Sequence, residues 1–342
     1  MIEIGSEFWK IDNSKLNNNL DFLKIGVDHE LLMSGRTAID FVLNNFEDSI
    51  KVVYMPDYCC ESMIKPFKDN GYKINYYSAD VINNKYVIDE NFYCSVFFAM
   101  SYFGYSISNM DKYIKIFSKK GIKVIEDITH RFLSDINHCN DSTYLVASLR
   151  KWFPIISGGI AISVKERFKI QADEYSINKE FVDIKSKAMN LKKEYIYGNN
   201  NNKDEFLDLY NKSNHMIENY RQMKIDDESK DILRNLDINK IKKKRIENCK
   251  IIERKLKDNK KVKLLYNYSN GDCPLFVPVI LENRDVVRKK MIDNKIYLPV
   301  HWPNNDSNNK IYNLELSLIN DQRYCKEDIE NYINILIKIG GE

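Results

Sequence analysis

Four short stretches of this chain carry residue types that can do chemistry together, and they follow one another in a fixed order. The first is Ser34-Gly35-Arg36-Thr37-Ala38. A glycine next to hydroxyl residues at a helix start exposes backbone N–H groups and a side-chain donor, which with the helix dipole makes a phosphate cradle. The same residues also read as an ordinary N-cap by Ser34 or Thr37. The second is the acidic pair Glu126-Asp127, just past an apolar run. A carboxylate there can pair with a protonated pyridine nitrogen, or it can cap the next turn. The third is His130, a hydrogen-bonding group for a ligand oxygen or a structural histidine. The fourth is Ser148-Leu149-Arg150-Lys151-Trp152, upstream of Gly158-Gly159. A lysine so placed can form an imine with an aldehyde, and Ser148 and Arg150 can contact a phosphate; the alternative is a surface Lys-Arg pair.

These stretches need a scaffold, and the pattern around them supplies one. Helical spacing follows Ser34-Gly35-Arg36-Thr37 through Ala38-Ile39, Val42-Leu43 and Phe46. Strands are expected over Lys51 to Met55, Tyr72 to Ser78, Tyr93 to Met100, Lys123 to Ile125, Thr143 to Ala147 and Gly159 to Val164. Helices are expected over Glu61 to Asn70, with Pro66 as a kink point, and Ile107 to Lys120. Such alternation predicts a mainly parallel sheet with helices on both faces. Ligands of these sheets bind at the carboxyl ends of the strands, which is where the four stretches fall. Lys165 to about Asp258 reads as charged and helical, with a polar loop at Gly198 to Asn202. Strands are then expected over Val262 to Tyr266, Leu275 to Leu281 and Ile296 to Leu298, and helices over Arg284 to Asn294 and Lys326 to Ile339. This divides the chain into a large domain, 1–235, and a smaller C-terminal α/β domain, 236–342.

The 342 residues are enough to bury a large core. The net charge of +3 is too weak to argue for nucleic acid or a membrane surface. No apolar run reaches the roughly 18–20 residues that span a bilayer, and the N-terminus lacks a signal peptide's pattern, so a cytoplasmic location is expected. The cysteines, Cys59, Cys60, Cys94, Cys139, Cys249, Cys273 and Cys325, show neither CxxC nor zinc spacing. No disulfide framework and no metal are expected.

In order and spacing, the four stretches resemble the DegT/StrS family of sugar-nucleotide aminotransferase-like proteins, which depend on pyridoxal 5′-phosphate (PLP) and have fold type I. Ser34-Gly35-Arg36-Thr37 is similar to the family's Ser-Gly-Thr, and Met55-Pro56-Asp57-Tyr58 to its Pro-containing strand end. Ser101-Tyr102-Phe103-Gly104 corresponds to its aromatic-Gly segment, and Glu126-Asp127-Ile128-Thr129-His130 to its Glu-Asp-(x)-(x)-Gln. Lys151 before Gly158-Gly159 matches its lysine, and Tyr297-Leu298-Pro299-Val300-His301 its Tyr…Pro…His stretch. The chain departs from the family at Ser101, often His, and at His130, usually Gln. The resemblance implies that Lys151 is the Schiff-base lysine and proton carrier and that Asp127 holds the ring nitrogen protonated. His130 would assist at the phenolic oxygen, while Gly35, Arg36, Thr37, Ser148 and Arg150 hold the phosphate. Tyr58 is the candidate to stack on the ring. Arg323 is the candidate for a donor carboxylate, with a surface ion pair as its alternative. His301 would line the substrate mouth or fix the Trp302-Pro303 turn. The activity implied is transfer of an amino group from a donor such as L-glutamate to a nucleotide-linked keto sugar, for surface polysaccharide or amino-sugar synthesis, by a homodimer. Two other readings keep the cofactor or the fold: an amino-acid decarboxylase or aldolase-type lyase, and a non-catalytic PLP- or sugar-binding protein.

Overall fold

The computed structural model describes residues 3–11, 20–23, 25–46, 50–106, 109–135, 141–198, 202–302 and 310–341. Cys139, Ile107, Asn199–Asn201 and Pro303, singled out in the sequence, lie outside them. The chain opens with β1 (Ile4–Gly5) and β2 (Asp28–Leu32). Alternation begins with α1 (Gly35–Asn44), β3 (Val52–Pro56), α2 (Glu61–Asp69), β4 (Lys73–Asp80) and β5 (Lys85–Val87). It continues through β6 (Val96–Met100), α3 (Met110–Lys119), β7 (Lys123–Asp127), β8 (Tyr144–Ser148) and β9 (Gly159–Ser163). Four helices follow: α4 (Lys179–Ile196), α5 (Lys203–Met216), α6 (Asp227–Arg234) and α7 (Ile238–Leu256). The last part comprises β10 (Lys263–Leu264), β11 (Val277–Ile280), α8 (Arg284–Asp293), β12 (Ile296–Tyr297), α9 (Ile311–Leu314), β13 (Glu315–Leu318) and α10 (Lys326–Gly341).

The large sheet has the order β2-β9-β8-β7-β6-β3-β4-β5. Its five central strands, β8 to β4, run parallel. β9 is antiparallel to both of its neighbours, and β5 is antiparallel to β4. Every residue of β6 is buried, as expected for a strand covered on both faces. All the strands and the three helices expected before residue 165 are present, with ends shifted by a few residues. Pro66 sits inside α2, and the Asn70 side chain donates to its carbonyl at 2.8 Å.

Four strands had no clear signal, the first being the two-residue β1. β2 (DHELL) is mostly polar and half-buried, pairing with β9 alone. β5 is a three-residue hairpin return. β13 (ELSL) reads as amphipathic, yet all four residues are buried, because Glu315 and Ser317 hydrogen-bond each other and His301. The strand expected at Val262 to Tyr266 shortens to β10, since Tyr266 turns inward to donate from its hydroxyl to Val81 O at 2.6 Å. In the C-terminal part, β10-β11-β13 form an antiparallel sheet. The N-terminal segment reaches this part, with β1 pairing in parallel with β12. No helix among the described residues is long and apolar enough to cross a membrane.

Candidate active site

At the carboxyl end of β8 the chain makes a short 3-10 turn, Leu149–Lys151, that turns Arg150 and Lys151 toward the crevice. The turn is fixed from three sides. Leu149 N–H donates to Gly158 O at 3.1 Å and Gly158 N–H to Met33 O at 2.7 Å. Trp152 donates its indole N–H to Thr129 O at 2.6 Å, and Gln322 donates to Trp152 O at 2.8 Å. Gly159 is obligatory here, because a Cβ would lie 2.1 Å from Ser34 O. The Gly-Gly step therefore lets β9 pass directly against the start of α1.

Two cavities meet at Arg150 and Lys151. The first, of about 220 Å³, is lined by Ser34, Gly35, Arg36, Cys60, Ser62, Met63, Asp127, Thr129, Ser148, Arg150 and Lys151, among others. Ser34 is the N-cap of α1, its Oγ accepting from Thr37 N–H at 3.2 Å. The N-cap reading of this stretch is what the structure shows, and the cap leaves the first-turn N–H groups of Gly35 and Arg36 beside the cavity. Thr37 is fully buried, its hydroxyl 2.9 Å from Ser34 Oγ, so it holds the turn and does not line the cavity. Arg36 pairs with Glu218 at 2.8 Å and lies over Tyr220. Its Nε and that of Arg150 are buried without a hydrogen-bond partner. Burial, with Arg36 nearby, lowers the pKa of Arg150, and Glu7 opposes the shift. Two enclosed guanidinium groups, each with an Nε that has no partner among the described residues, could hold an anion.

Asp127 ends β7, 4% exposed. One oxygen accepts from Thr129 N–H at 2.7 Å. Burial raises its pKa, while hydrogen bonds from Thr129 and the charge of Lys151 lower it. Thr129 Oγ1 in turn accepts from Ser148 N–H at 3.0 Å, tying β7 to β8 at the cavity floor. Lys151 makes no ion pair among the described residues, and its Nζ lies 6.0 Å from the Trp302 ring centre.

His130 is wholly buried behind this floor. Its Nδ1 accepts from Phe103 N–H at 3.1 Å, and Nε2 has no partner. Burial, then Lys151 and His301, hold its pKa well below the usual histidine value, so the ring is neutral with its proton on Nε2. Gly104, at φ +93°, permits the approach: a Cβ there would sit 2.6 Å from His130 O.

The second cavity, of about 490 Å³, opens from Lys151 toward the C-terminal part and is lined by Glu7, Arg245, Arg288, His301 and Arg323, among others. Glu7 comes from the N-terminal segment and is ion-paired with Lys185 at 3.0 Å. Lys185 leads the causes that lower its pKa to about 2, burial opposing them.

Two expected residues are engaged in packing or hydrogen bonds of the fold. Tyr58 is buried among Tyr102, Trp302 and Tyr312 and donates to His301 O. It does not line the first cavity; Cys60 and Met63 do. Arg323 borders the second cavity but is committed to structure. It binds both oxygens of Asp321, at 3.0 and 2.7 Å, and the carbonyls of Glu7 and Ser6. Residues missed in the sequence are Cys60, Thr129, Glu7, Arg245, Arg288, Glu315 and Ser317. Only Thr129 lay inside a recognised stretch; the others carry no local pattern.

No family model matches the chain, and no curated relative matches it. Solved structures do. Helicobacter pylori PseC, an aminotransferase of pseudoaminic acid biosynthesis, aligns over 98% of this chain and 93% of its own, at 13% identity and a TM-score of 0.64. DesV from S. venezuelae, solved with a ketimine intermediate, aligns over 94% and 88%, at 12% identity and 0.65. A DegT DnrJ EryC1 StrS aminotransferase from Brucella abortus aligns over 94% and 88%, at 13% identity and 0.64. The chain thus has the fold of the PLP-dependent aminotransferases, expected from the sequence as fold type I. At this identity the likeness speaks to fold alone.

Proposed function

We propose that this protein is a PLP-dependent aminotransferase that moves an amino group from an amino acid such as L-glutamate to a keto sugar carried on a nucleotide, as a homodimer serving amino-sugar or polysaccharide synthesis. One observation carries the reading. Lys151 stands where two cavities meet, without an ion-pair partner among the described residues, with Asp127 in one wall and two guanidinium groups with orphaned Nε donors beside it. A phosphorylated pyridine aldehyde fits that set. Gly35 and Arg36 N–H groups, Ser148 and the guanidinium groups of Arg36 and Arg150 would hold the phosphate. Asp127 would hold the proton on the ring nitrogen. The Nε2–H of His130, which has no partner among the described residues, would donate to the phenolic oxygen. When bound, the cofactor supplies an electron sink for the pair left as a proton leaves the carbon bearing the amino group. Lys151 would bind the aldehyde carbon and then carry that proton. Arg245 and Arg288 give the second cavity a cationic wall suited to an anionic acceptor.

The test is a half-reaction. Protein incubated with PLP and L-glutamate is expected to release about one equivalent of 2-oxoglutarate per chain, and Lys151→Ala none. Carbon dioxide release instead would establish a decarboxylase, and no turnover with any amino acid a binding protein.

A further inference from the structure

We propose that His301 accepts a proton from an O–H or N–H group of the substrate, and that Glu315, acting through Ser317, is its positioning residue. The proposal rests on the second cavity being the substrate site. His301 lines that cavity together with Lys151. Glu315 is fully buried at the start of β13. Among the described residues no lysine or arginine pairs with its carboxylate, and the one basic partner is the His301 ring, with Nδ1 at 3.9 Å. An isolated buried carboxylate is costly to a fold, and its hydrogen bonds all lead to one place. Oε2 accepts from His301 N–H at 2.9 Å and Oε1 from the Ser317 hydroxyl at 2.5 Å. Having given its only proton to Glu315, Ser317 Oγ can only accept from His301 Nδ1, 2.8 Å away. The chain of bonds thus fixes the proton on Nδ1 and leaves Nε2 with a lone pair and no partner among the described residues.

The ring is also clamped sterically. His130 and Trp302 meet it edge to face at 5.2 and 5.3 Å, Phe103 at 5.7 Å and Phe276 tilted at 5.1 Å. The titratable groups acting on it are Glu315, which raises its pKa, and Lys151, which lowers it together with burial, the largest cause. His130, beside it, is neutral. A proton taken at Nε2 would place a positive charge on the ring 3.9 Å from the Glu315 carboxylate, which stabilises it. The proton returns to the ligand by the same route. A carboxylate that only pinned the His301 backbone would do so equally well as an amide.

The test uses the full chain labelled with 15N-histidine, which contains five histidines, and assigns His301 by the signal lost in His301→Gln. The expected result is the Nδ1–H tautomer in the wild type, lost in Ser317→Ala, and a His301 pKa lower by about 1 unit in Glu315→Gln. In the half-reaction with PLP, His301→Gln is expected to slow the single-turnover rate by about 100-fold. Glu315→Gln should keep cofactor absorbance while the acid limb of its rate profile moves to lower pH. A wild-type Nε2–H tautomer, or a Glu315→Gln titration and rate profile equal to wild type, would overturn the proposal. Absence of cofactor absorbance in the wild type would instead sink the aminotransferase reading, while the tautomer and titration arms still decide the relay.

Discussion

Asp127 and Lys151 reach one cavity from the ends of neighbouring strands, and each is legible in the sequence as a functional type following a buried run. Their partners are not. Cys60 lies at a helix N-cap with no side-chain cap bond, and Glu315 stands in a segment whose alternation suggests an exposed edge. Each acquires meaning only from residues far along the chain. Arg323 shows the converse: its type suggested a carboxylate receptor, and its four hydrogen bonds fix the N-terminal segment and Asp321. Two expectations follow at this scale. Asp127→Ala should weaken PLP binding and lower the half-reaction rate by about 100-fold or more, read by absorbance titration and stopped flow. Arg36→Met and Arg150→Met should each raise the dissociation constant for PLP roughly 10- to 100-fold, the worth of a charge-assisted hydrogen bond. Unchanged affinity in both would remove the guanidinium groups from the phosphate site.

Among the elements, the parallel strands and their helices were readable because apolar runs, glycines and capping residues agree locally. The strands that escaped, β1, β2, β5 and β13, are short or polar, and their burial comes from neighbours. The junction of α1 with β9 is where local sequence and packing constrain each other most tightly. Gly159→Ala should destabilise the fold and displace the start of α1, because the added Cβ would meet Ser34 O at 2.1 Å. A lowered melting temperature together with weakened PLP binding is the expected signature. Ser34→Ala removes the cap and should cost about 1 kcal/mol in urea unfolding, with Thr37 losing its partner.

Across the whole molecule, residues 3–11 join the two parts, and a buried lysine holds them there. Lys192 is 1% exposed, donates to Glu7 O, and has its pKa lowered to about 7, mainly by burial and then by Arg323. Between about pH 7 and the ordinary lysine range near 10.5, the unfolded chain binds a proton at Lys192 that the folded chain does not. This group therefore makes stability rise with pH over that window and withdraws the gain as pH falls to 7. Denaturant unfolding at pH 7 and pH 9 should show the wild type gaining on Lys192→Met at the higher pH; a gap independent of pH would contradict it.

The central claim is that Lys151 is the residue that binds the cofactor aldehyde. Borohydride reduction of the protein after incubation with PLP, followed by peptide mass mapping, tests it directly. One phosphopyridoxyl group per chain on the peptide holding Lys151, absent from Lys151→Ala, is the predicted result. A label on another lysine, or one scattered over many, would contradict it.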